Sequence, residues 1–371
     1  MRSADCNAGE ATPIRDVRVA AFRIPTETPE SDGTFAWNAT TLVLVEVDAG
    51  RSTGMGYTYA DQATAVLIHD ELTRVLMNQD AWATQARWMD LRNAVRNIGS
   101  RGIAAMAISA LDVALWDWKG KQLGIALCDL FGRARDAVEL YGSGGFTSYS
   151  DEQLRAQLGG WARHGFHAVK MKVARDADRD EHRVRVAREA IGSHVQLFVD
   201  ANGGYSVKQA LQLAGAFAEQ RVTWFEEPVS SDDLAGLALI RNVGPAGMAI
   251  SAGEYGYSLD YFQQMLSAQA IDVLQADATR CCGFTGFLSA AALCDARNVP
   301  LSSHCAPALH LHVACAARPL IHMEYFFDHV RIERMLFDGA VQPNQGQVAP
   351  DRSRPGVGLE FKWEDAQCYR L

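Results

Sequence analysis

Lys170-Met171-Lys172 puts two ammonium groups at positions i and i+2, hence on one face if this run is a strand. An isolated Lys-x-Lys of this kind is ordinarily a solvated strand face. Here Ala168, Val169, Met171 and Val173 surround the lysines, so the run reads as a covered strand with both lysines facing an interior. Two buried ammonium groups need anionic partners. Their mutual repulsion, helped by any nearby cation, would lower a lysine pKa, as general-base work requires.

The anions follow in order. Asp200, Glu226 and Glu254 each close an apolar run, VQLFVD, VTWFE and MAISAGE. If these runs are neighbouring strands about 4.8 Å apart, the three carboxylates converge. Three ionised carboxylates cannot share a site without a cation, and an all-oxygen set with room for water suits Mg²⁺. Spacing alone does not choose between Glu226 and its neighbour Glu227, which point opposite ways in a strand. Asp277 and His304 end the next two runs, and an Asp beside a His fixes its tautomer and raises its basicity. His310 and His312, in a helical stretch, read as structural. Glu324 ends a further run and could place a proton near an oxyanion. Such a set binds a substrate carboxylate, removes the adjacent α-proton with a base on either side, and stabilises the resulting enediolate with Mg²⁺, Lys170 and a protonated Glu324.

The spacing of these residues names the scaffold. Lys172, Asp200, Glu226, Glu254, Asp277, His304 and Glu324 follow one another at intervals of 28, 26, 28, 23, 27 and 20 residues. One strand plus one crossover helix takes roughly 30 residues. With VELYG from Val138 as the first strand, the runs count eight, the pattern of a (β/α)₈ barrel whose active site lies at the C-terminal strand ends. Amphipathic helices such as Asp180–Ile191 and Val207–Gln220 fall between the strands.

The N-terminal part differs. Its first dozen residues read as disordered, Val17–Ile24 and Thr41–Val47 as strands, and Pro25–Trp37 and Gly54–Tyr59 as loops. Helices are expected at Ala63–Met77, Ala81–Val95 and Ile103–Leu123, the last apolar on most sides and so buried. Beyond Gly339 the chain turns Pro/Gly-rich and ends in a strand-like LEFKW that could return to this block. The expected division is an α+β cap at 1–133, a barrel at 134–350 and a returning tail at 351–371. Apolar residues make up 48% of the chain, enough for a large core, yet no run approaches the roughly 20 needed to span a membrane. Residues 1–16 lack the apolar core of a signal peptide, and the eight cysteines show no CxxC spacing, which fits a cytoplasmic protein. A net charge of −9 argues against nucleic-acid binding.

Taken together, Lys170-Met171-Lys172, Asp200-Ala201-Asn202, Glu226-Glu227-Pro228, Gly253-Glu254, Asp277 with Gly283, Ser302-Ser303-His304 and Glu324 resemble the enolase superfamily, and within it the mandelate racemase subgroup. That superfamily is known for Lys or His bases working with Mg²⁺. The resemblance covers almost the whole chain and implies that Glu226 is the second metal ligand. Cys282-Gly283 stands where the family usually has Gly-Gly, which leaves the path of that loop open. Among similar proteins acid-sugar dehydratases predominate, so β-elimination of water to a 2-keto-3-deoxy acid ranks first. Racemisation or epimerisation ranks second, and a non-catalytic metal-binding barrel stands as the alternative from another class. The expected partners are a small carboxylate substrate and further copies of the chain.

The expected substrate contacts are Asn202 and two aromatic residues of the cap loops, Trp37 and Tyr57. Glu27, Glu30, Asp32, Glu46 and Asp48 fall between Arg23 and Arg51 with no Lys or Arg among them. Like charge would disfavour a second carboxylate by about 1–4 kcal/mol at 4 Å, so a monocarboxylate sugar acid is expected over a diacid.

Overall fold

Alternating apolar residues build an antiparallel sheet in the N-terminal block: β1 (Ile14–Ser31), β2 (Ala36–Ala49) and β3 (Ser52–Tyr59). The computed structural model describes residues 11–371. The disorder expected of residues 1–10 lies outside that range; Thr12, expected to be disordered too, is anchored by its N–H on Asp80 Oδ1 at 2.9 Å. The period of two splits the sheet between two cores. Phe22, Leu42, Leu44, Tyr57 and Tyr59 join the core shared with the barrel, while Val43, Val45 and Val47 join a second core under the helix Ile103–Leu123.

Two stretches expected as loops are strand. Pro25–Trp37 is mostly the continuation of β1 into β2, with Glu30 opposite Trp37 and Ser31 opposite Ala36, leaving a tip at Asp32–Phe35. Asp32 Oδ1 accepts the N–H groups of Thr34 and Phe35, both at 2.7 Å, and this Asx-type turn closes the hairpin. Pro25 and Pro29 signal a loop because they cannot donate to a ladder, but the irregular register between Pro25 and Glu30 accommodates them. Gly54–Tyr59 is β3, and its glycines serve packing: a Cβ at Gly54 or Gly56 would collide with the carbonyl of Ala114 or Ala110 in the buried helix. That helix also ties the domains together. Its Asp117 accepts from Met55 N at 2.7 Å and Val357 N at 2.8 Å, and its Asp112 accepts from Thr285 N at 3.0 Å and Oγ1 at 2.7 Å.

From Val138 onward eight parallel strands alternate with helices: β4 (Val138–Gly144), β5 (Ala168–Lys172), β6 (Gln196–Asp200), β7 (Val222–Glu226), β8 (Ala249–Ala252), β9 (Val273–Ala276), β10 (Leu301–Ser303) and β11 (Leu320–Phe326). Each pairs with the next, and β11 pairs with β4 (Met323 opposite Leu140) to close the barrel. The tail adds β12 (Phe337–Asp338), β13 (Gln347–Val348) and β14 (Glu360–Phe361). It returns to the cap, where Leu371 N donates to Ala21 O at 2.9 Å. Among the described residues no helix is long and apolar enough to cross a membrane, and every cysteine is free.

Tyr57, expected to touch substrate, is fully buried in the shared core and donates its hydroxyl to Glu333 Oε1 at 2.7 Å. Its strand position, not a loop, turns it away from the barrel mouth. Burial pushes Glu333 up to about 8. The folded protein therefore keeps a proton that the unfolded chain releases above its ordinary value of 4.5. Stability should fall as pH rises through that window. Glu333→Gln should flatten the slope between pH 5 and 8 in urea titrations; an unchanged slope would show that Glu333 does not carry the effect.

Candidate active site

The barrel interior is layered by the two-residue period of its strands. Ala168, Phe198 and Trp224 belong to an inner cluster with Tyr141 and Val273. Lys170, Asp200 and Glu226 lie two residues further along the same three strands, hence one layer nearer the mouth. Glu324 stands in the same relation to His322, whose ring packs against Tyr141, Phe198 and Trp224. Burial pushes His322 down to about 4, so this aromatic floor is neutral and the charges begin directly above it.

Strand register then sets the acids side by side. Lys172 is opposite Asp200, and Asp200 opposite Glu226, at the ends of β5, β6 and β7. Glu254 follows β8 by two residues, and Asp277 and His304 directly follow β9 and β10. Asp200, Glu226 and Glu254 each present one carboxylate oxygen within 4.8 Å of the others, all three buried. Lys170 Nζ lies 2.5 Å from Glu226 Oε1 and 2.9 Å from Glu324 Oε1; Lys172 Nζ lies 2.5 Å from Asp200 Oδ2. Trp224 Nε1 donates to the other Glu226 oxygen at 3.0 Å. Burial and the Asp200 charge push Glu226 well above the ordinary carboxylate range. Glu254 Oε2 is buried without a hydrogen bond. Crowded carboxylates held this way fit a hard dication, and a purely oxygen donor set fits Mg²⁺.

Two electrostatic expectations are corrected. Burial lowers Lys172, but the Asp200 carboxylate at 2.5 Å outweighs it and raises the lysine above its usual value. Burial would raise Glu324, yet Lys170 holds it well below the ordinary range, so it is ionised here, not protonated. In both cases the direct ion pair wins over desolvation.

Opposite the lysines, His304 Nδ1 lies 2.8 Å from Asp277 Oδ2, which leaves Nε2 facing Glu254 Oε2 at 3.2 Å. His310 is structural: its Nε2 accepts from Ala278 N at 2.8 Å, fixing the loop that carries Asp277. Arg280 braces the same loop, its Nη1 donating to Glu254 O at 3.2 Å. The Cys282-Gly283 turn takes left-handed backbone at both residues, φ 66° and 85°, and a Cβ at Gly283 would strike Asp112.

A cavity of about 520 Å³ opens beside these strand ends, lined by Asn202, Glu227, Tyr255, Tyr257, Arg101 and Thr34 among others. Asn202, expected to contact substrate, is among the cavity-lining residues, and its N–H donates to Asp200 Oδ1 at 2.9 Å. Glu227 lines this cavity and stays outside the three-carboxylate cluster. The hairpin tip covers the mouth: Thr147 N donates to Ser31 O at 2.8 Å, and Gly33 lies against the backbone of Val173 and Ala201. Trp37 packs edge-on to Phe146, in a cluster that includes Cys305, and donates to Glu30 at 2.9 Å. The acids that were to repel a diacid are largely engaged elsewhere. Glu46 and Asp48 pair with Arg18, and Asp32 holds the turn, so the argument against a diacid loses its basis. Arg101 sits in a link between two cap helices, where nothing in the local sequence pattern marks it.

Residues 14–132 match the family model for the mandelate racemase / muconate lactonizing enzyme N-terminal domain, and residues 153–366 the enolase C-terminal domain-like model. The chain belongs to the mandelate racemase / muconate lactonizing enzyme family. It is 34% identical over 360 residues to 3,6-anhydro-alpha-L-galactonate cycloisomerase of Streptomyces coelicolor, covering 94% of this chain and 98% of the relative. A mandelate racemase/muconate lactonizing enzyme-like protein from Rubrobacter xylanophilus superposes with a TM-score of 0.95 at 48% identity, over 97% of this chain and all of the other. L-talarate/galactarate dehydratase from Salmonella typhimurium, liganded with Mg and L-lyxarohydroxamate, superposes with a TM-score of 0.89 at 25% identity, over 100% and 96% of the two chains.

Proposed function

We propose that this protein is a Mg²⁺-dependent hydro-lyase that converts a polyhydroxy acid to its 2-keto-3-deoxy product. The observation that carries this reading is one cluster of three acids flanked by a lysine at the end of β5 and a His–Asp pair just past the ends of β10 and β9. Asp200, Glu226 and Glu254 would hold the ion. When bound, Mg²⁺ supplies a Lewis acid to the substrate carboxylate and offsets the Asp200 charge that keeps a proton on Lys172. Lys172 then takes the α-proton. Lys170 stays charged, because Glu226 and Glu324 outweigh its burial, and its ammonium group opposes the negative charge that develops on the substrate. His304, oriented by Asp277, gives a proton to the departing β-hydroxyl, which leaves as water, and the enol tautomerises to the 2-keto acid. Asn202 and Arg101, with the tyrosines of the mouth cavity, offer donors and flat faces to the sugar hydroxyls. Trp37 acts by holding the hairpin over the mouth.

A second reading, isomerisation through the same proton abstraction, is favoured by the 34% identical cycloisomerase relative. The product separates the two. A library of mono- and dicarboxylate acid sugars with Mg²⁺ should yield a 2-keto acid one water lighter than its substrate. A product of unchanged mass would replace dehydration with isomerisation.

Asp277→Asn should preserve the fold and lower kcat about a hundredfold or more, with KM little changed, by removing the charge that orients His304. Unchanged kcat would exclude His304 as the acid.

A further inference from the structure

The residue after the histidine has no part in that chemistry, yet its side chain is aimed at it. Cys305 Sγ lies 3.2 Å from His304 Nε2. Cys305 and Ala306 both adopt left-handed backbone, φ 50° and 38°, a conformation that non-glycine residues rarely take. Cys305 N–H donates to Glu324 Oε2 at 2.7 Å, which fixes the carboxylate beside the thiol. His304 Nε2, Cys305 Sγ and a Glu324 oxygen all lie within 4.8 Å of one another. Glu254 Oε2, which belongs to the neighbouring three-carboxylate cluster, lies 3.2 Å from the same His304 Nε2.

We propose that His304, Cys305 and Glu324 form a site for a thiophilic divalent cation, Zn²⁺ or Cd²⁺, that shuts the enzyme off. Nitrogen, sulfur and oxygen donors at bond lengths of about 2.0–2.3 Å around a tetrahedral ion stand about 3.3–3.7 Å apart. The distances from His304 Nε2 to Cys305 Sγ (3.2 Å) and Glu324 Oε2 (3.9 Å) bracket that range. Asp277 on Nδ1 supplies the carboxylate–histidine arrangement that directs the Nε2 lone pair at a metal. Charge agrees: Glu254, Asp277, Glu324 and the thiolate outnumber Lys170 and Arg280, and Lys170 contacts the other Glu324 oxygen. On binding, the S–H bond breaks, a metal–sulfur bond forms and the proton passes to water. A thiolate selects against Mg²⁺, so this ligand set differs in kind from the three carboxylates. Inhibition rests on the reading of His304 as a catalytic acid/base; binding does not.

The experiment is a Cd²⁺ titration of the protein in excess Mg²⁺, with Cys6 and Cys368 replaced by Ser. A thiolate-to-metal absorption band should rise to one equivalent and be lost in Cys305→Ser. Zn²⁺ should abolish turnover, while Cys305→Ser keeps its turnover and needs at least tenfold more Zn²⁺. X-ray absorption on the Zn²⁺-loaded unsubstituted chain, which needs no variant to fold, should show one sulfur among nitrogen and oxygen neighbours. An equal band in Cys305→Ser, or an all-oxygen shell, would overturn the site. Binding to Cys305 that leaves turnover intact would keep the site and refute the role of His304.

Discussion

Glu254→Gln is expected to leave a folded barrel with kcat/KM lower by about a thousandfold or more, because a lost ligand forfeits several kcal/mol of charge stabilisation. The amide keeps the size of the side chain and its oxygen, but not the charge that balances a dication. Chelation of the unsubstituted enzyme should have the same effect, with Mg²⁺ restoring it. Circular dichroism and Mg²⁺ titration by calorimetry separate lost binding from lost structure. Undiminished metal-dependent turnover in Glu254→Gln would rule out the assignment of Asp200, Glu226 and Glu254 as the metal set.

Replacing either base should be comparably severe. Lys172→Ala and His304→Asn are each expected to lower turnover by at least about 10²- to 10⁴-fold, the usual yield of a positioned acid or base. The two differ in D₂O. Lys172→Ala should lose exchange of the substrate α-proton, whereas His304→Asn should still exchange it, since proton removal precedes loss of the hydroxyl. Substrate recovered after incubation, analysed by proton NMR, reads this directly. If neither variant lost activity, two bases on opposite sides of the substrate could not be the mechanism.

The site was legible to an unusual degree because a barrel converts sequence spacing into geometry. Lys170, Asp200, Glu226 and Glu324 each stand two residues beyond an inner-layer residue, so period two fixed their face and the repeat fixed their height. The choice of Glu226 over Glu227 needed the family resemblance, and the register of β7 against β6 and β8 places Glu226 in the cluster. The cap was less legible. Proline-rich Pro25–Ser31 and glycine-bearing Gly54–Tyr59 carry loop signals, but their strand pairing is fixed by partners 5 to 17 residues away. Local composition cannot report such pairing.

What the sequence determined by itself was the repeat, the order of the ionisable strand ends and the chemistry that such donors permit, all properties of spacing and residue type. The tertiary structure decided which charges meet. Lys172 is raised and Glu324 lowered because each lies against an opposite charge from another strand, Asp200 in one case and Lys170 in the other. It also brought Arg101 to the mouth, took Tyr57 from it, and turned Cys305 towards His304. Coulomb energy depends on separations of a few ångströms. Such distances between segments remote in sequence exist only once the chain has folded.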